Sequence, residues 1–228
     1  MNNWLQANKK LLFIVMTLQA RLDIRDFFLK NAVREIYENI GQVLSLVRMQ
    51  LAMLDSNNKE DNDGSLNSSG NLVGQSIRDL RAMSRSFYPD TDILKEDGLT
   101  QGFENTIGIL YKKDNGAVKI KGIRKEVQPE LKLVTFKMVQ EILIAIKEIE
   151  GDFISLSISY IKEAVKFTIS YNGVSIELNG ENESNFTNRS LTLQERAELI
   201  EARFQVSRNK TGITQIKLIS PLNFAYND

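Results

Sequence analysis

The spacing of apolar residues divides the chain into two unlike halves. From about Asn3 to Leu54 there is no proline and no glycine except Gly41, and Val33, Ile36, Ile40, Val43, Val47, Leu51 and Leu54 recur at intervals of three and four. This is the stripe of a long helix that packs against partner helices. Leu5, Leu11, Phe13, Leu18, Leu22 and Phe28 extend the apolar content toward the N-terminus. The stretch from Asp55 through Gly70 is almost wholly polar and reads as an exposed hairpin loop at about 55–70. After it, Val73, Ile77, Leu80, Ser84 and Phe87 restore the helical spacing, and Pro89 marks the end of this second helix. A two-helix hairpin cannot bury such stripes alone, so the pattern predicts an antiparallel hairpin that dimerises into a four-helix bundle.

Beyond residue 90 the period changes. Leu99 to Tyr111 is helical in pattern, 117–123 alternates like a strand, and Pro129 opens a strongly apolar helix through Ile149. Phe153 to Tyr160 and Val165 to Tyr171 alternate as two strands of a hairpin. Asn179 to Asn188 reads as a loop, Leu191 to Arg203 as a helix, and Phe204 to Arg208 with Thr214 to Ile219 as a closing hairpin. The fold class expected is α+β: a helical-hairpin dimerisation domain at 1–95, then at 96–228 a sandwich with helices on one face of a mixed, mostly antiparallel sheet.

Composition narrows the chemistry. The 29 basic and 29 acidic side chains balance, which gives no overall field toward nucleic acid. There is no cysteine and no histidine, so disulfides, thiolate chemistry and histidine-based nucleophile activation are excluded, and zinc loses its preferred ligands. The longest apolar run, Leu11 to Met16, falls far short of the roughly 20 residues that cross a bilayer. Oxygen-ligated Mg²⁺ or Ca²⁺ stays open on composition, and no membrane span and a cytoplasmic location are expected.

The motifs carry a resemblance. Arg34-Glu35-Ile36-Tyr37-Glu38-Asn39-Ile40-Gly41-Gln42, followed by Leu44, resembles the phosphoacceptor segment of sensor histidine kinases that partner LuxR-type response regulators. Family members read Arg-Glu-Leu-His-Asp-x-Ile-Gly-Gln there; this chain has Tyr37 at the histidine and Glu38 at the neighbouring acid. Asp79-Leu80-Arg81-x-x-Ser84, then Pro89, Leu94 and Gly98-Leu99, is similar to the family's second dimerisation helix and its exit into the ATP-binding domain. The element order that follows resembles the GHKL fold, the ATP-binding domain that histidine kinases share with gyrase.

The resemblance implies positions for nucleotide chemistry, and several are altered. The family helix Gln-Glu-Ala-Leu-x-Asn-x-x-Lys-His supplies an asparagine to Mg²⁺. Here Gln140, Glu141 and Leu143 are kept, Ala145 stands at the asparagine, and Glu148 and Ile149 replace the last pair. Alanine offers no oxygen to a hard cation. The adenine-reading Asp-Asn-Gly-x-Gly becomes Tyr171-Asn172-Gly173-Val174-Ser175, in which an aromatic ring is expected to fill the adenine pocket. The lid motif Gly-Leu-x-x-Met-x-Glu-Arg-Ala becomes Ser190-Leu191-Thr192-Leu193-Gln194-Glu195-Arg196-Ala197, without its glycine. The last motif, Gly-x-Gly-Thr, survives in part around Gly212 and Thr214, where a hairpin turn explains the glycine equally well.

These substitutions imply a catalytically inactive histidine-kinase-like protein with no cofactor, ATP and Mg²⁺ included. Its expected role is that of a dimeric adaptor in two-component signalling, bound to a response-regulator receiver domain or a true histidine kinase. The expected docking face comprises Tyr37, Glu38, Gln42, Ser45 and Arg48. The relic nucleotide positions are Glu141, Ala145, Tyr171, Gly173, Gly212 and Thr214. Alternatives from the same residues are a divergent nucleotide-dependent kinase or ATPase with a rearranged site and a structural dimer without a signalling partner. A histidine phosphotransferase of the sporulation-relay type needs the absent residue.

Overall fold

The computed structural model describes residues 2–54, 59–85, 89–111, 117–150, 152–173 and 192–224. The expected loop at 179–188 lies outside them, as do Val174, Ser175, Ser190 and Leu191 of the segments that the resemblance aligned with adenine-reading and lid motifs. The described residues form two compact units, 24–89 and a second composed of 1–23 with 90–228. This differs from the expected division at 95/96: the first 23 residues group with the sheet-bearing part of the chain.

Helix α1 (Asn2–Glu35) runs into a single π-helical turn, Ile36–Ile40, and continues as α2 (Gly41–Ala52). The Gly41 N–H donates to the Ile36 carbonyl, five residues back, which widens the helix at this turn. Periodicity alone predicts an unbroken α-helix here, because one inserted residue scarcely alters a stripe of threes and fours.

Helix α3 spans Lys59–Arg85. The polar run expected as a loop to residue 70 is therefore helical from Lys59 onward, and residues 55–58 lie outside the described ones. Small polar side chains contribute to its contact with α2. Ser69 and Ser76 are buried, and the Ser69 hydroxyl donates to the Gln50 amide oxygen of α2 at 2.8 Å. A stripe of serines registers as polar in sequence, yet it lets two helices approach closely and satisfies its own hydroxyls. The Ser76 hydroxyl, for instance, donates to the Leu72 carbonyl.

The second unit holds α4 (Pro89–Leu94), α5 (Gly98–Leu110), β1 (Ala117–Lys121), α6 (Pro129–Glu148), β2 (Asp152–Ile161), β3 (Ala164–Asn172), α7 (Leu193–Leu199), β4 (Arg203–Arg208) and β5 (Ile213–Pro221). Its five strands are ordered β1-β2-β3-β5-β4, with β1 parallel to β2 and every other pair antiparallel. The expected α+β architecture is present: an N-terminal helical region, then a mixed, mostly antiparallel sheet with helices on one face.

Strict alternation sorts the two faces of the sheet. Leu156, Ile158, Val165, Phe167, Ile169, Tyr171, Ile216 and Leu218 are buried on the inner face, and α6 is buried along nearly its whole length. Phe103 of α5 stacks on Phe136 of α6, with ring centroids 4.6 Å apart, and meets Phe167 of β3 edge-on. Gly102 permits this approach, since a Cβ there would lie 2.7 Å from the Phe136 ring. Gly98 is needed more strictly, because its Cβ would fall on the backbone carbonyl oxygens of Asp92 and Ile93.

The start of α1 belongs to the same core. Phe13 is wholly buried and packs against Phe224 at 5.1 Å, while Met16, Thr17 and Ala20 are buried beside it along the helix. Lys9 reinforces this edge through an ion pair to Glu201 at 3.1 Å and by lying over the Phe224 ring.

Candidate functional site

Of the positions that the resemblance implies for a nucleotide, Glu141 and Ala145 lie on α6. Glu141 stands there half-buried, and both of its carboxylate oxygens are occupied. Arg196 of α7 donates from its two terminal nitrogens, one to each oxygen. Lys137, one turn earlier on α6 and buried, lies 3.5 Å from Glu141 Oε1 and 3.7 Å from Asp23 Oδ2. Two acids and two bases thus close on one another as a charge-balanced network. Bidentate guanidinium–carboxylate pairing is the strongest member of its class, and partial burial leaves little solvent to screen it.

Local sequence explains why Arg196 arrives there. Thr192 caps α7: its hydroxyl accepts from the Glu195 N–H, and the Glu195 carboxylate accepts from the Thr192 N–H at 2.8 Å. This reciprocal box fixes the first turn of a helix only seven residues long. Ala197 is buried at 2 % exposure. The Glu195-Arg196-Ala197 motif therefore has a complete structural account: a cap, an ion pair and a packing contact.

The remaining positions separate. Ala145 is half-buried one turn beyond Glu141. Tyr171 is wholly buried on the inner face of β3, paired in register with Thr214 of β5. The buried Thr214 hydroxyl donates to the Gly173 carbonyl at 3.2 Å, which ties the end of β3 to β5. Gly212 sits in the β4–β5 turn with φ +85°, and Asn209 Oδ1 accepts from the Thr211 and Ile213 N–H groups around it. The hairpin accounts for this glycine.

Gln140, beside Glu141, is fully buried, and neither its amide oxygen nor its amide nitrogen has a hydrogen-bond partner among the described residues. Sequence reading singled out Gln140 and Glu141 but missed Lys137 and Asp23. The four-residue interval from Lys137 to Glu141 was an available signal; nothing in the sequence links Asp23 to either.

The expected docking residues lie in the other unit. Tyr37 is 78 % exposed within the π-helical turn, and Glu38, Gln42, Ser45 and Arg48 are exposed along the same continuous helix. The Ser45 hydroxyl donates to the Gly41 carbonyl. Single π-turns inside α-helices recur at functional sites, and this one contains Tyr37, which the sequence resemblance aligns with a phosphoacceptor histidine.

Neither a protein-family model nor a curated protein matches the sequence. Among solved structures, the chain is similar to the Erythrobacter litoralis EL346 blue-light activated histidine kinase at 17% identity and TM-score 0.42, covering 84% of this chain and 60% of that one. The histidine kinase domain of the same protein gives 16% identity and TM-score 0.42, with 88% and 96% covered. The Acinetobacter baumannii histidine kinase AdeS gives 10% identity and TM-score 0.40, with 81% and 97% covered. The chain thus spans less than two thirds of the first of these. Among the described residues, no helix is long and apolar enough to cross a membrane.

Proposed function

We propose that this chain is a catalytically inactive histidine-kinase-like protein that works as a dimeric adaptor in two-component signalling. The observation that carries the reading is the closed network at Glu141. A nucleotide-dependent kinase needs an acid and a metal ligand free to act on phosphate and water. Here the acid is held on two sides by Arg196 and Lys137. Its neighbour Ala145 has no ligating atom, and the residue at the adenine-reading position is a tyrosine buried in the core. The phosphoacceptor position carries Tyr37 in a chain without histidine.

The partner in this reading is a response-regulator receiver domain or a genuine histidine kinase. It docks on Tyr37, Glu38, Gln42, Ser45 and Arg48, which share one exposed stretch. Dimerisation draws support from the apolar side chains left exposed on the hairpin, among them Leu44, Met49 and Leu51 on α2 and Leu66, Ile77 and Leu80 on α3. Burial against a second copy would remove these side chains from water.

Calorimetric titration with ATP and ADP, with and without Mg²⁺, tests the inactive site. The expected result is no saturable binding up to millimolar nucleotide. Saturable micromolar binding, or magnesium-dependent turnover, would overturn the reading in favour of a divergent ATPase or kinase. Titration with purified receiver domains tests the adaptor role, with Glu38→Lys expected to weaken complex formation.

A further inference from the structure

The outer face of the sheet presents a trough that the adaptor reading does not use. Its floor is the middle of β2, where Ser155, Ser157 and Ser159 put three short hydroxyl side chains on one face. Lys119 and Lys121 of β1 rise on one side, opposite Ser157 and Ser159 in register. Lys166 of β3, paired with Ser159, rises on the other. The resulting cavity is about 290 Å³. With strands about 4.8 Å apart, the two lysine walls stand roughly 10 Å from each other across the serines.

Three features distinguish this trough from an ordinary solvated sheet face. Lys119, Lys121 and Lys166 make no ion pair and no hydrogen bond among the described residues. Lys217 of β5 and Arg203 of β4 extend the same positive face in register. The one acid that the register sets on this face is Asp152, at the far end of β2 beyond its bulge. Edge strands commonly carry lysine to discourage pairing with other chains, and that accounts for β1. It does not account for Lys166 and Lys217, which stand on interior strands. Finally, the Ser157 hydroxyl at the centre of the floor is buried and has no hydrogen-bond partner among the described residues.

We infer that this trough binds the phosphate group of a small soluble ligand, with the lysine ammonium groups neutralising the charge and the Ser157 hydroxyl donating to a phosphate oxygen. Like charges gathered on one face of a sheet repel one another, and a bound polyanion removes that repulsion. The trough lining has no aromatic ring on which a base could stack, which disfavours single-stranded nucleic acid. It also has no exposed apolar side chain to enter a bilayer, which disfavours a lipid surface.

Titration of the full chain with inorganic pyrophosphate, at low and at moderate salt, tests the inference. Saturable binding that weakens with salt is expected. It should weaken by about tenfold or more in the combined variant Lys119→Gln, Lys121→Gln, Lys166→Gln, and several-fold in Ser157→Ala. Circular dichroism and thermal melting establish that these variants fold, as substitutions on an open sheet face should. Absence of saturable binding at millimolar pyrophosphate, or equal binding by the triple variant, overturns the inference. So does binding confined to vesicles containing phosphatidylserine, or to a single-stranded oligonucleotide, with none to pyrophosphate. Because the three substituted lysines stand on the outer face of the sheet, loss of binding in the triple variant distinguishes this trough from any phosphate site in the α6 region.

Discussion

Arg196 clasps Glu141 with two parallel hydrogen bonds, joining a seven-residue helix to the largely buried α6. The side chains are 17 % and 26 % exposed, so each charge depends on the other for much of its solvation. Arg196→Ala should therefore destabilise the unit by about 2–3 kcal/mol, somewhat below the loss typical of a fully buried pair. Replacing both, as Glu141→Gln with Arg196→Met, should cost less than the sum of the single changes. Urea denaturation of the four proteins in this cycle measures the coupling. Strict additivity would mean that the pair is not formed in solution.

The docking of α1 makes a second prediction. Phe13 has no exposed surface and faces Phe224 across 5.1 Å. Phe13→Ala removes a buried ring and leaves a cavity, which costs about 3–5 kcal/mol. A shift of that size in the unfolding midpoint of the sheet-bearing unit would show that residues 1–23 are part of its core. An unchanged midpoint would show that they are dispensable.

Gln140 offers the opposite sign. A buried amide with neither end hydrogen-bonded carries a desolvation cost of about 1–3 kcal/mol. Gln140→Met keeps the length and removes the polar atoms, so thermal stability should rise. A loss of stability would mean that the amide has a partner in solution, and a ligand in the α6 region would be the first to seek.

Tyr111 ties stability to high pH. Its hydroxyl donates to the Leu143 carbonyl at 2.8 Å, and burial holds its ionisation well above the ordinary value of 10.0. Burial raises Tyr160 as well, against an opposing pull from Arg124. The unfolded chain therefore releases these protons first. Their contribution is complete below about pH 10 and declines as pH rises above it toward the folded-state value, by up to about 1.4 kcal/mol per pH unit for each group. Tyr111→Phe should flatten the decline above pH 10 without abolishing it, as denaturant melts at pH 9, 10 and 11 would show.

The final prediction concerns Tyr37, which the sequence resemblance aligns with a phosphoacceptor histidine. Tyr37→His would place an imidazole on an exposed helical turn, yet nothing in the network around Glu141 would be released by it. Incubation of this variant with γ-labelled ATP and Mg²⁺ should leave the protein unlabelled. Stable incorporation of label at residue 37 would restore the kinase reading.

Much of this architecture is written in local pattern. Alternation in 164–172 and 213–221 is strict enough to set both the strands and their inner faces, because a side-chain period of two leaves no freedom about which residues point inward. Pro129 and the apolar run after it define α6, and the absence of histidine is a matter of composition alone. What required the tertiary structure were relationships between residues far apart in the chain and features that carry no period. The stretch 59–70, where polarity suggested a loop, is helical and meets α2 through the buried Ser69. A one-residue widening at Ile36–Ile40 left the stripe nearly unchanged. The joining of Asp23, Lys137, Glu141 and Arg196 spans 173 positions, from 23 to 196. Charge networks and open-face troughs arise from how strands and helices are laid side by side, and a one-dimensional pattern records only which side each residue takes.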